Sequence, residues 1–193
     1  MAMTGMLFGA IGCSAENSAV VKKVETEPGK VLIAYYSWSA DGNTRYAAEQ
    51  IQKATGGTLF EIKPKTAYPS DYQSCVEQAK KECRAGFKPE LAATVEEFKK
   101  YDVIFVGSPN WWGTMAPPVL TFLTSQDFAG KKVIPFFTHG GGGMQNCERD
   151  VIKNAGKAEV LPGKAFTGSS IRKADKQIAE WVGSLLTVTA NKK

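Results

Sequence analysis

The run Val31-Leu32-Ile33-Ala34-Tyr35-Tyr36 passes without a break into Ser37-Trp38-Ser39-Ala40-Asp41-Gly42-Asn43-Thr44, and that loop leads straight into the helical pattern of Arg45 to Lys53. An unbroken apolar run suits a strand covered on both faces, as in a parallel sheet. The loop after it gathers three hydroxyl side chains, a glycine and several backbone N–H groups at a helix start. Unsatisfied amides and the helix dipole favour an anion there, so the loop reads as a phosphate cradle. Ser37, Ser39 and Thr44 can each donate an O–H, Gly42 lets the chain turn close to a ligand, and Asn43 sits near the N-cap.

Outward from this stretch, strand-like runs recur at Thr58 to Ile62, Val103 to Gly107, Val133 to Thr138 and, more weakly, Glu159 to Val160 with Ala165 to Thr167. Helical patterns separate them at Thr44 to Ala54, Tyr72 to Arg84, Pro118 to Thr124, Gln145 to Asn154 and Asp175 to Leu186, with a further short one at Leu91 to Lys100. Strands alternating with helices imply an α/β, doubly wound parallel sheet. Ligands of such sheets bind at the carboxyl ends of the strands, near the switch in strand order.

Two more loops fall at that edge. After the third strand comes Pro109-Asn110-Trp111-Trp112-Gly113-Thr114, and adjacent tryptophans in a loop bounded by proline and glycine are costly to leave in water. They suit a stacking platform for a flat aromatic ligand, though tryptophans that merely cap the core would give the same pattern. After the fourth strand comes Thr138-His139-Gly140-Gly141-Gly142-Gly143, where bare backbone can approach a ligand. His139 is the only histidine, and no cysteine or carboxylate is readable beside it to give it an acid-base role.

The two commonest phosphate motifs are excluded. A Walker loop needs Gly-Lys-Ser/Thr and this loop has no lysine; a dinucleotide fingerprint needs three glycines and this loop has only Gly42. Glu61 therefore reads as a strand-end residue rather than a ribose ligand. Hydroxyl donors suit a terminal phosphomonoester, whose oxygens each need a partner.

Composition narrows the classes further. The chain has 193 residues, 43% hydrophobic, a size that supports one domain with a full core. Its net charge of +5 is spread among acidic residues with no clustered basic stripe, which argues against a nucleic-acid partner. No stretch is apolar over the eighteen or so residues that span a bilayer. Cys75 and Cys83 lie eight apart in one helical pattern, about 12 Å between Cα atoms, too far for a disulfide. No spacing suggests a metal site.

Residues 1–29 differ from 30–193. Met1 to Gly12 is apolar and uncharged, Cys13 follows Ala10-Ile11-Gly12, and Ser14 to Lys30 is polar. This is similar to the end of a bacterial lipoprotein signal followed by a tether, and implies an envelope lipoprotein with a lipid anchor at Cys13. The alternative is an apolar N-terminus on a cytoplasmic protein.

The three loops, in this order over residues 30 to 186, resemble the flavodoxin-like proteins that bind flavin mononucleotide (FMN). The resemblance implies a three-layer α/β/α fold with a five-stranded parallel sheet in the order 2-1-3-4-5. It places the FMN phosphate on Ser37, Ser39, Gly42, Asn43 and Thr44. The ring would lie between Pro109, Asn110, Trp111, Trp112 and Gly113 on one side and Thr138, His139, Gly140, Gly141, Gly142 and Gly143 on the other. One departure is that Ala40 and Asp41 are inserted before Gly42, and a carboxylate beside a phosphate dianion is repulsive unless it faces solvent.

The redox chemistry would belong to the flavin. Three functions stay open: an electron carrier serving a redox partner protein, an NAD(P)H-dependent enzyme reducing a quinone or similar small-molecule acceptor, and a flavin-free binding module. Carriers of this kind are usually acidic around the flavin, whereas this chain is net basic.

Overall fold

The structure is a computed structural model and describes residues 23–188. Cys13 and the apolar segment before it lie outside the described residues. The element order is β1 (Val24–Thr26), β2 (Val31–Tyr35), α1 (Asn43–Thr55), β3 (Thr58–Glu61), α2 (Tyr72–Ala85), β4 (Val103–Trp111), β5 (Thr114–Met115), α3 (Pro117–Ser125), β6 (Lys132–His139), α4 (Cys147–Asn154), β7 (Glu159–Val160), β8 (Lys164–Thr167), α5 (Asp175–Leu185) and β9 (Leu186–Val188).

The main sheet runs β3-β2-β4-β6, with β7 and β8 following one another along the outer edge of β6; every one of these pairings is parallel. Counted as five strands in chain order, with β7 and β8 as one interrupted strand, this is the order 2-1-3-4-5. The interruption is Leu161-Pro162-Gly163. Pro162 has no N–H for the ladder, and the Gly163 N–H donates instead to Glu148 Oε1 at 2.5 Å.

Alternation along each strand builds two cores. Leu32, Ala34, Ile104, Val106, Val133 and Phe137 point to the layer that holds α3 and α4. Val31, Ile33, Val103, Phe105, Ile134 and Phe136 point to α1 and α5. The helices of this second layer each bury one stripe: Ala47, Ala48, Ile51 and Thr55 on α1, and Ile178, Trp181, Val182 and Leu185 on α5. Helix α1 ends at Gly56, whose left-handed φ of 65° and N–H bond to Gln52 O close the last turn.

Three expectations need correction. Leu91 to Lys100 is not a helix: Leu91 bridges to Pro64 in antiparallel fashion, and only Phe98–Lys100 makes a 3-10 turn, entered through Glu97 at a positive φ of 47°. Helix α4 starts at Cys147 rather than Gln145, because Gln145 also takes a positive φ of 47°. Val24–Thr26, inside the segment read as a tether, is a strand that pairs in parallel with β9.

Candidate functional site

The carboxyl ends of β2, β4 and β6 open on a cleft of about 480 Å³. Ser39, Asn43 and Thr44 supply one wall; Pro109, Asn110, Trp111 and Trp112 a second; Thr138, His139 and Gly140 a third. Ser37, Gly42, Gly113 and Gly141 to Gly143 do not line it.

The cradle forms because the chain must turn between β2 and α1. Gly42 caps α1 in the left-handed region at φ 62° and ψ 41°, and no side chain caps the helix. The cap is thus Gly42, with Asn43 the first helical residue, and a glycine cap offers the first-turn amides no side-chain acceptor of its own. The Gly42 N–H donates to Ser39 O at 2.8 Å, and the Asn43 N–H reaches Ser39 Oγ at 3.5 Å. Asp41 is exposed, so its carboxylate has access to water.

One atom in this loop stands out. Among the described residues, Ser37 Oγ is the buried side-chain polar atom without a hydrogen-bond partner. An unpaired buried hydroxyl costs about 1–3 kcal/mol, so a polar group that reached Ser37 Oγ would be stabilised there. Thr44 Oγ1 and Thr138 Oγ1 lie 2.8 Å apart and are buried. Their mutual bond uses one of the two hydroxyl protons, and the other is free to donate into the cleft.

The second wall is a hairpin. β4 runs past Gly107 to Trp111 and turns back through Trp112 (φ 55°) and Gly113 (φ 87°) into the antiparallel β5. Pro109 is tolerated in this strand because β2 has already ended opposite Gly107. Asn110 holds the turn: its Oδ1 accepts from the Gly113 N–H at 2.9 Å, and its Nδ2 donates to Gly143 O at 2.8 Å and Gln145 Oε1 at 3.0 Å.

The adjacent tryptophans have different roles. The Trp111 ring meets Tyr68 edge-on at 5.0 Å, Tyr36 at 5.6 Å and Trp38 at 6.3 Å, a fixed aromatic wall. Trp112 is 52% exposed, donates its indole N–H to Val76 O at 3.1 Å and carries Lys80 Nζ over its ring. Below Trp111, the Tyr68 hydroxyl donates to Glu82 Oε2; burial and that bond hold the phenol far above its ordinary range.

In the third loop, the Gly141 N–H donates to His139 Nδ1 at 3.0 Å, which makes Nε2 the protonated nitrogen of the neutral ring. Gly141 to Gly143 turn the chain, with φ of 138° at Gly141 and 69° at Gly143, and do not line the cleft.

Sequence reasoning did not assign Trp38, Tyr72, Cys75, Val76, Ala79, Gly168 or Ser169, all of which line the cleft. Tyr72, Cys75, Val76 and Ala79 fall at i, i+3, i+4 and i+7 on α2, a spacing that was visible but reads equally as a core stripe. Gly168-Ser169 follows β8 and carries no local signal. Burial, helped by Glu82, pushes the Cys75 thiol up to about 11, which favours the uncharged thiol in the cleft wall. Among the described residues no group of His, Cys, Asp and Glu is placed to hold a metal, and no helix is long and apolar enough to cross a membrane.

A doubly wound sheet in the order 2-1-3-4-5, with a hydroxyl cradle, an aromatic wall and a bare loop at one edge, defines a flavodoxin-like protein. The chain matches the family described as Flavodoxin over residues 30–185, and it belongs to that family. No match is found among curated proteins. Among solved structures it is similar to a candidate flavoprotein from Bacteroides uniformis, with 30% identity, a TM-score of 0.71, and coverage of 81% of this chain and 99% of that one. A second candidate flavoprotein, from Bacteroides eggerthii, has 30% identity and a TM-score of 0.65 over 78% of this chain and 98% of that one. A flavoprotein from Lactobacillus acidophilus, solved in complex with FMN, has 28% identity and a TM-score of 0.63 over 75% of this chain and 97% of that one.

Proposed function

We propose that this protein binds FMN and carries electrons through it. The observation that carries the reading is the buried, unpartnered Ser37 hydroxyl in a cradle whose helix has no side-chain cap. Ser37 does not itself line the cleft, but the next residues Trp38 and Ser39 do, and a phosphomonoester dianion held there would take up that hydroxyl and the first-turn amides together. Ser39, Asn43 and the Thr44–Thr138 pair would complete the phosphate's partners. Trp111 on one side and His139 with Gly140 on the other would hold the flat ring, with His139 Nε2–H available to its polar edge. FMN, when bound, supplies one- and two-electron redox chemistry; the protein supplies binding, orientation and electrostatics.

A second reading is an NAD(P)H-dependent reductase. What favours it is the apolar face of α2, where Tyr72, Cys75, Val76 and Ala79 extend the cleft beyond the cradle. One experiment tests both. The purified protein is expected to take up FMN with a shifted visible spectrum, and under air-free conditions the colour is expected to persist on adding NADH or NADPH. Protein that takes up no FMN overturns the cofactor reading, and rapid bleaching by a nicotinamide selects the reductase.

We also propose that the domain is tethered to a membrane through lipid on Cys13. Helix α1 runs from the cleft at Asn43 to its cap at Gly56, where a Cβ would lie 3.1 Å from Pro28. The chain therefore joins the domain at the end opposite the cleft. Mass spectrometry of the native protein is expected to find Cys13 at a lipidated N-terminus; an intact Met1 to Cys13 segment would refute it.

A further inference from the structure

We propose that Arg172 is a positioning residue for the phosphate cradle and gives the site its preference for a phosphorylated flavin over an unphosphorylated one. The inference rests on the FMN reading and extends it to a residue outside the cleft lining.

Ala40 and Asp41 set two difficulties for the cradle. Both are exposed loop residues with conformations to lose on binding, and Asp41 adds a negative charge to a loop that would receive a dianion. Arg172 meets both. It lies on the 3-10 segment Gly168–Lys173 and donates an Nη2–H to the backbone carbonyl of Asp41. Because the next amide, Gly42 N–H, donates to Ser39 O at 2.8 Å, the Asp41–Gly42 peptide is held at both its polar ends. That peptide fixes the left-handed cap of α1, and so the aim of the first-turn amides.

The guanidinium is itself held. It lies over the Tyr46 ring at 4.1 Å, and the Tyr46 hydroxyl donates to Asp175 Oδ1 at 2.7 Å, tying the second turn of the loop's helix to the start of α5. The same 3-10 segment presses on the cradle at its other end, where a Cβ on Gly168 would lie 2.7 Å from Asn43 Nδ2. A cation anchored by a planar stack and a directed N–H is a role for arginine and not for lysine. Since Arg172 does not line the cleft, it acts on the phosphate through the loop it holds and through its charge.

The test titrates the flavin-free full-length protein with FMN and with riboflavin, followed by quenching of flavin fluorescence. R172Q is expected to weaken FMN about tenfold and to leave riboflavin within about twofold, because only FMN uses the cradle. R172K restores charge without the fork and is expected to recover less than half of the loss on a logarithmic scale. Y46L, which removes the platform, should weaken FMN in the same direction. Arg172 is exposed, so thermal melting should confirm that the variants fold. Equal weakening of both flavins by R172Q, or full recovery by R172K, overturns the positioning role, as does an unchanged FMN preference. If the unaltered protein binds neither flavin, the cofactor reading fails and this inference with it; if it binds FMN and R172Q keeps the preference, this inference fails alone.

Discussion

Replacing Ser37 by alanine is expected to weaken FMN binding about tenfold to a hundredfold while leaving the flavin-free protein as stable as before, or slightly more so. The two effects have one cause. In the flavin-free protein Ser37 Oγ is buried without a partner, so its removal takes away an unsatisfied polar group and no hydrogen bond. With a phosphate dianion in the cradle, the same hydroxyl makes a bond to a charged acceptor, which contributes about 1.5–3 kcal/mol. Riboflavin lacks the phosphate and should bind S37A as it binds the unaltered protein. Fluorescence titration gives the affinities and thermal melting gives the stability. A flavin-free S37A protein that melts well below the unaltered one would show that the hydroxyl holds the fold together and not a ligand.

The fold was legible in the sequence because its information is local. The apolar runs of β2, β4 and β6 mark strands covered on both faces, and glycine stops such as Gly56 end helices without help from distant residues. Where tertiary contacts decide, pattern reading fails. Leu91 to Lys100 has helical spacing, yet the Pro64–Leu91 bridge draws its start into extended structure. β4 continues beyond Gly107 because β6 goes on pairing with it as far as Pro109 opposite Thr138, which no property of Ser108 or Pro109 announces.

The site divides in the same way. The cradle, the hairpin and His139 with Gly140 were readable because each is contiguous and sits at a strand's carboxyl end. The contribution of α2 was not, since a helix that turns an apolar face to a cleft looks in sequence like one that turns it to a core. The two tryptophans could be paired with a ligand but not told apart: their separate fates follow from the hairpin, which sends Trp111 among Tyr36, Trp38 and Tyr68 and leaves Trp112 outside against Val76 O. Arg172 lies 131 positions from the loop it holds, a distance that local pattern does not bridge.

Gly107 is where fold and site meet, and Gly107→Ala is expected to cost about 3 kcal/mol, enough to lower the melting temperature by about 10 °C. The backbone there is not in the left-handed region; the constraint is space. A Cβ would come within 2.1 Å of Phe136 Cζ and within 2.7 Å of two further ring atoms. Phe136 is the β6 residue paired with Gly107, is fully buried and packs in the cluster of Ile134, Phe105 and Phe166, so its ring has nowhere to move. The Gly107 carbonyl also accepts the Tyr36 N–H at 3.0 Å, one residue before the cradle begins, so relief by backbone shift would displace Ser37. The destabilised protein should therefore lose FMN affinity as well. Phe136→Leu shortens the opposing side chain and leaves a cavity, and alone it should destabilise. In the double variant the new methyl finds room, so the combined loss should be smaller than the sum of the single losses. A G107A protein with an unchanged melting temperature, or a double variant whose loss is simply additive, would mean that the sheet yields at this point and that β4 is not the rigid base on which the aromatic hairpin stands.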